Sequence, residues 1–204
     1  VYVMTEGSDG AFDLSFTCET VVEGCMNSLA CNYDSSANFD SGCDFASCAC
    51  PEGSTGTGLA FEATDSFGDG FNDASYSVTN GLGEVVASGS MGCDQNCLDG
   101  PVDNDFIYTV DTDNITGIEY GVSTMCLEDG CYTITVGGGT WDSEISWTLS
   151  TSSGPIVGGE GSSDVSFTIG DAVCGCTDVN SCNYDISATS DDGSCDYDSC
   201  SGCT

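Results

Sequence analysis

Cys131-Tyr132-Thr133-Ile134-Thr135-Val136-Gly137-Gly138-Gly139-Thr140-Trp141-Asp142-Ser143-Glu144-Ile145-Ser146-Trp147-Thr148-Leu149-Ser150 is the stretch on which the fold turns. Tyr132, Ile134 and Val136 recur at every second position, as do Ile145, Trp147 and Leu149, which is the period of strands with one buried face. The glycine run and the polar segment between them read as a loop. Because these aromatics stand in phase with aliphatic neighbours, they read as core rather than as a ligand platform.

The same alternation continues outward. It predicts strands over Leu59–Ala63, Ser75–Thr79, Glu84–Ser88, Asp105–Val110, Gly117–Ser123, Cys131–Val136, Glu144–Ser150 and Asp164–Ile169, with Asn80-Gly81-Leu82-Gly83 as a hairpin turn. No amphipathic helix of useful length is visible. The expected fold class is all-β: a β-sandwich or jelly-roll domain flanked by two small disulfide-rich modules.

The flanks are copies of each other. Gly24-Cys25-Met26-Asn27-Ser28-Leu29-Ala30-Cys31-Asn32-Tyr33-Asp34 returns as Gly175-Cys176-Thr177-Asp178-Val179-Asn180-Ser181-Cys182-Asn183-Tyr184-Asp185, an offset of 151 residues. Upstream, Asp13-Leu14-Ser15-Phe16-Thr17 matches Asp164-Val165-Ser166-Phe167-Thr168. The expected organisation is 1–17, closing strands of a preceding or neighbouring β-domain; 18–53, a cysteine-rich module; 54–173, the sandwich; and 174–204, a second cysteine-rich module. In the second copy the matching strand follows a sandwich directly. In the first, either the chain was cut from a longer tandem array or residues 1–17 complete the sheet of a neighbouring subunit by strand addition.

The cysteines fall into even groups: Cys18, Cys25, Cys31, Cys43, Cys48 and Cys50; then Cys93, Cys97, Cys126 and Cys131; then Cys174, Cys176, Cys182, Cys195, Cys200 and Cys203. Zinc sites favour paired short C-x₂₋₄-C spacings, whereas C-x₅-C and C-x₁₁₋₁₂-C dominate here, so a disulfide framework in an extracellular or cell-surface setting is expected. Each terminal group has enough cysteines for three disulfides, and the connectivity stays open. A module of about 30 residues buries too little to hold itself together without bridges or metal.

The 204 residues include 34 Asp and Glu and no Lys, Arg or His, for a net charge of −34. With no cation to meet phosphates, nucleic acid is excluded as a partner, and no apolar run is long enough to insert in a membrane. The usual general base, the Schiff-base amine and the P-loop cation are all missing, so no enzyme is expected. A carboxylate pair acting on a glycosidic bond would survive that exclusion, but nothing singles one out. Carboxylates without cationic side chains must be accommodated by distance, hydrogen bonds, protonation or bound cations, which makes calcium the expected cofactor.

Its candidate ligands lie in two loops and a module. Asp65, Asp69, Asn72 and Asp73 crowd one Gly-rich loop between strands, with a spacing unlike that of an EF-hand. Asp142 and Glu144 would join them if the two loops share an end of the sandwich. In the second module Asn183, Asp185, Asp191 and Asp192 offer oxygens inside a disulfide-closed loop, with Asn32, Asp34 and Asp40 as first-module counterparts. Asn114-Ile115-Thr116 is a glycosylation sequon, and Ser54-Thr55-Gly56-Thr57 and Thr151-Ser152-Ser153 could carry O-glycans.

The segment from Gly175-Cys176-Thr177-Asp178 through Cys182-Asn183-Tyr184-Asp185 to Asp191-Asp192-Gly193-Ser194-Cys195 resembles a cysteine repeat of large secreted or surface-anchored proteins of aquatic Bacteroidetes. The first copy departs from it at Met26-Asn27 and in its shortened Asp40-Ser41-Gly42-Cys43 turn. The stretches Asp65–Asn72 and Cys131–Trp147 resemble a β-domain found beside that repeat, where Trp usually stands at Phe71. Tyr2–Gly7 with Phe12–Leu14 resembles the closing hairpin of a pre-peptidase C-terminal-like sandwich. The resemblance implies exported, modular, tandem architecture.

The functional expectation is a structural subunit of an extracellular filament or surface layer, with copies of itself as partners in a helical or linear polymer. The alternative is a calcium-dependent adhesive or carbohydrate-binding module with glycans as partners.

Overall fold

The computed structural model is described over residues 2–6, 12–16, 20–68, 70–91, 107–110 and 118–200, with backbone alone at 2–6, 12–16, 107–110 and 118–119. Asp69, Asn114, Cys18, Cys93, Cys97 and Cys203 lie outside the described residues. The chain divides into two compact units, Val1–Asp44 and Phe45–Thr204.

The first unit opens with β1 (Tyr2–Glu6) and β2 (Phe12–Phe16), an antiparallel pair in register from Tyr2↔Phe16 to Glu6↔Phe12 that forms a two-stranded sheet. A compact loop follows, in which β3 (Glu23–Gly24) runs parallel to β4 (Phe39–Asp40) and the Cys25–Cys43 disulfide closes the ring. Cys31 of this unit is also disulfide-bonded.

The second unit is a sandwich of two packed sheets. Its strands are β5 (Thr57–Asp65), β6 (Ser75–Asn80), β7 (Val85–Ser90), β8 (Ile107–Val110), β9 (Ile118–Leu127), β10 (Gly130–Gly137), β11 (Ile145–Thr151), β12 (Gly154–Glu160) and β13 (Ser163–Ile169). One sheet has the order β13-β10-β6-β7 and the other β12-β11-β5-β9-β8. Alternation buries Leu59, Phe61, Ala63, Ile145, Trp147 and Leu149 from the five-stranded sheet against Tyr76, Val78, Ile134, Val136, Phe167 and Ile169 from the four-stranded one. At the centre, Phe61 stacks on Tyr76 with ring centroids 4.4 Å apart. Trp147 donates its indole N–H to Ser163 (3.0 Å), so its one polar group is satisfied in the core. The expected all-β sandwich with disulfide-rich parts is what the chain forms.

The hairpin at Asn80 forms as the sequence indicates. The Asn80 amide donates to the Glu84 carbonyl (3.0 Å), and Asn80 Oδ1 accepts from the Leu82 and Glu84 amides. Strand β12 has no counterpart among the expected strands, because Gly154-Pro155 and Gly158-Gly159 read as punctuation. It is a sheet-edge strand, where Pro is tolerated. Gly159 is there for room: a Cβ would lie 3.0 Å from the Trp147 ring.

Two disulfides join one cysteine group to another, a connectivity the sequence leaves open. Cys50 pairs with Cys126 at the end of β9, and Cys174 pairs with Cys131 at the start of β10, so outer groups are stapled to the central one. The ring closed by Cys50–Cys126 spans 76 residues, worth about 4.5 kcal/mol in the chain-entropy account. Within the second module Cys176 pairs with Cys195 and Cys182 with Cys200.

The second module seats closely on the β6–β7 turn, where a Cβ on Gly81 would lie 1.7 Å from the Asp191 carbonyl oxygen. On the same side, the Cys131 amide donates to Ser190 Oγ (3.2 Å). Replacing Gly81→Val is expected to unseat the module at a cost of about 1–3 kcal/mol. Hydrogen exchange of intact oxidised protein should then show faster exchange over residues 175–200 while β5, β10 and β11 stay protected; unchanged exchange in the module would refute this seat.

Candidate metal and ligand sites

The two acidic loops meet at one end of the sandwich. The strands dictate this, since Asp65 at the end of β5 pairs with Ile145 at the start of β11, and Gly137 at the end of β10 pairs with Ser75 at the start of β6. Two backbone bonds join the loops, from the Ser66 amide to the Glu144 carbonyl (2.9 Å) and from the Thr140 amide to the Asn72 carbonyl (3.1 Å).

Asp65 is buried, and its carboxylate accepts the amides of Phe67 (3.0 Å) and Gly70 (2.8 Å), folding the loop over itself. Asn72 donates to the Gly70 carbonyl (2.7 Å), while Asp73 is exposed. Asn72 and Asp73 both have left-handed backbone, with φ of 50° and 66°, a costly pair for non-glycine residues. Phe71 between them and the core is fully buried, anchoring the loop at the position where the resembled family carries Trp.

Asp142 binds across its own loop, accepting the amides of Gly138 and Gly139 (each 2.9 Å) and the Ser162 hydroxyl. Partial burial works against its charge, but the Ser162 hydroxyl and the two amides outweigh burial and hold the carboxyl below the usual carboxylate range. Glu144 contributes its carbonyl to the junction. Two large aromatics stand exposed on these loops, Phe67 at 72% and Trp141 at 55%.

The repeated module recurs almost bond for bond. In the second copy Asn183 donates to the Ser194 carbonyl (2.6 Å) and accepts the Asp196 amide (2.8 Å). In the first, Asn32 donates to the Gly42 carbonyl (2.7 Å) and accepts the Asp44 amide (2.8 Å). Asp185 accepts the Ser187 amide and hydroxyl, and Asp34 does the same with Ser36. In both residues the serine hydroxyl and amide hold the carboxyl below its usual range. Asp191 accepts the Thr177 amide and hydroxyl and the Gly193 amide, and Asp192 accepts the Ser194 amide. Asp40 receives the Met26 amide as Asp191 receives that of Thr177, but Met26 has no hydroxyl to add the second bond.

Among the described residues, two groups have the proximity needed to hold a metal ion: Cys25, Asp40 and Cys43, and Cys176, Asp191 and Cys195, each with one ligand-type atom per residue within 4.8 Å. The sulfurs in both groups are joined as disulfides and offer no thiolate. What remains for a cation in each group is one carboxylate.

The sequence reading did not anticipate a polar cavity of about 300 Å³ at the opposite end of the sandwich, where the second module meets β10 and β13. Thr133, Ser166 and Thr168 line it from the face of the sheet turned away from the core, and Asp192 lines it from the module. Those hydroxyls were visible in the sequence as the polar half of each alternation; the module that closes the cavity over them was not.

The disulfides point to an oxidising, extracellular-type environment, and no helix among the described residues is long and apolar enough to cross a membrane. Comparison of the chain with protein-family models, curated proteins and solved structures finds no match.

Because the Asp142 carboxyl is held below its unfolded value near 4, its contribution to stability is complete above that pH and is lost as pH falls through the folded value. Asp142→Asn keeps the shape and removes the titration. Its thermal midpoint should fall less than wild type between about pH 5 and pH 2; parallel acid limbs for the two proteins would contradict the assignment.

Proposed function

We propose that this chain is a non-catalytic structural subunit of an extracellular filament or surface layer, joined head to tail by strand addition and held by disulfides and calcium. One observation carries the reading. The Asp13–Phe16 sequence lies in a two-stranded sheet, whereas its repeat, Asp164–Phe167, lies in the edge strand of a four-stranded one, which has seven paired positions along β10. A two-stranded hairpin is marginal in water, and its open edges carry backbone donors and acceptors set to extend another sheet. Contacts of that head-to-tail kind propagate without closing. The resemblance to tandem surface-protein modules supports the same reading.

Calcium enters through the oxygen sets. Asp65, Asn72 and Asp73, together with Asp142 and Glu144, gather at one sandwich end, with Asp69 in the same loop by sequence. Asn183, Asp185, Asp191 and Asp192 gather in the module. A carboxylate has about four acceptor sites, so the amides already bound by Asp65 and Asp142 leave capacity for an ion.

Electron microscopy of undisturbed material should show fibres repeating at about one subunit length, and deletion of residues 1–17 should release dispersed subunits. Monomers before deletion, or unchanged fibres after it, would refute the assembly. For calcium, melting is compared in sodium and calcium salts at matched ionic strength. Calcium at about a hundredfold excess over its Kd should add roughly 2.7 kcal/mol, reversed by chelator; equal midpoints would remove the metal.

The exposed Phe67 and Trp141 beside the acidic loops favour one second reading, an adhesive module holding glycans through calcium. Glycan-array binding abolished by chelator and by Trp141→Ala would support it over the fibre.

A further inference from the structure

We propose that the cavity between the second cysteine module and the outer face of β10 and β13 is a binding site for a single neutral sugar ring. It lies at the end of the sandwich opposite Phe67 and Trp141 and does not depend on the filament reading. Its volume of about 300 Å³ falls at the small end of ligand pockets, enough for one ring rather than a chain.

The polar lining is of one kind. Thr133 and Ser166 face each other across the strand pair with hydroxyls 3.2 Å apart, and Thr168 follows along β13. Each hydroxyl both donates and accepts, which is the behaviour of the sugar hydroxyls it would meet. Across from them, Asp192 Oδ1 holds the Ser194 amide, while its other oxygen has no partner among the described residues and is open to a donor. The Cys131–Cys174 disulfide gives the lining an apolar side against which the C–H face of a sugar ring can rest.

Charge narrows the class. The protein contains no Lys, Arg or His, and Asp192 stands in the cavity, so an anionic ligand such as a uronic acid or a phosphate has no counter-charge. Asn80 also borders the cavity, but its side chain is committed to the β6–β7 turn through Leu82 and Glu84, so it shapes the site without contacting ligand. The seat that Gly81 gives the module fixes Asp192 opposite the hydroxyls.

The test is an amide-resolved NMR titration of the intact oxidised chain with glucose, galactose, mannose, xylose and N-acetylglucosamine, with glucuronate as the anionic probe. At least one neutral sugar should give saturable shifts at Thr133, Ser166, Thr168 and Asp192 at millimolar concentration, and glucuronate should give none. Thr133→Val and Asp192→Asn preserve shape, Asn still being able to accept the Ser194 amide, and each should weaken binding about tenfold or more. The proposal is overturned if none of the five sugars moves these amides, if glucuronate binds equally, or if both variants bind like wild type. Shifts at Phe67 and Trp141 instead would overturn it in favour of the end-loop glycan site.

Discussion

Every carboxylate in this protein must be accommodated without a cationic side chain, and that constraint shapes its loops. A chain with 34 acids and no Lys, Arg or His has no side-chain ion pair available to it. The ordered acids turn instead to amides and hydroxyls close by in sequence. Asp34 and Asp185 take the serine two residues on, and Asp178 takes the Asn180 amide together with the Tyr197 hydroxyl. Asp196 takes Ser199, and Asp142 takes a pair of glycine amides. In each of these five the hydrogen bonds hold the carboxyl below its usual range, so the charged form is the one the fold selects. Local donors demand tight turns, which explains why Asp, Asn, Ser and Gly crowd the segments between strands.

Such turns order a loop but bury little, and the disulfides make up the difference. The sandwich has a core of its own around Phe61, Tyr76 and Trp147. The modules do not: Val179, Ile186 and Tyr197 of the second stand exposed, and its buried residues include Cys176 and Ser181. Its covalent links therefore run in two directions, inward through Cys176–Cys195 and Cys182–Cys200 and onto the sandwich through Cys131–Cys174. The reproduction of Asn32, Asp34 and Cys25 geometry at Asn183, Asp185 and Cys176 shows that the local bonds suffice to specify the loop. The second copy is seated on the sandwich at Gly81 and through Ser190.

How much of this could be read beforehand follows from which interactions are local. Alternation around Ile134 and Ile145 is a one-strand property, and it located the sheets. The Asn80 turn needs four residues and was equally visible. The meeting of the Asp65 and Asp142 loops could be stated as a condition but not decided, because it depends on β5 pairing with β11. Strand β12 was hidden by its own glycines, which make sense once Trp147 is seen beneath Gly159. The Cys50–Cys126 pairing and the cavity at Thr133 were hidden for a deeper reason: both exist where segments far apart in sequence come together, and no short-range pattern records them.

The same charge that organises the loops also limits how such subunits can associate. Two copies at −34 each repel at any approach closer than the screening length, about 8 Å at physiological ionic strength. A side-chain interface would have to bring carboxylates together with nothing to offset them, and none of the complementary patches that usually steer association can exist. Backbone pairing is less exposed to this penalty, since N–H and C=O groups are neutral and their spacing is independent of sequence. The β1–β2 register places Asp13 opposite Thr5 and Glu6 opposite Phe12, so no two acidic positions of the two strands are paired. An assembly built on strand edges, with cations between the acidic loops, is therefore the form of association that this composition hinders least.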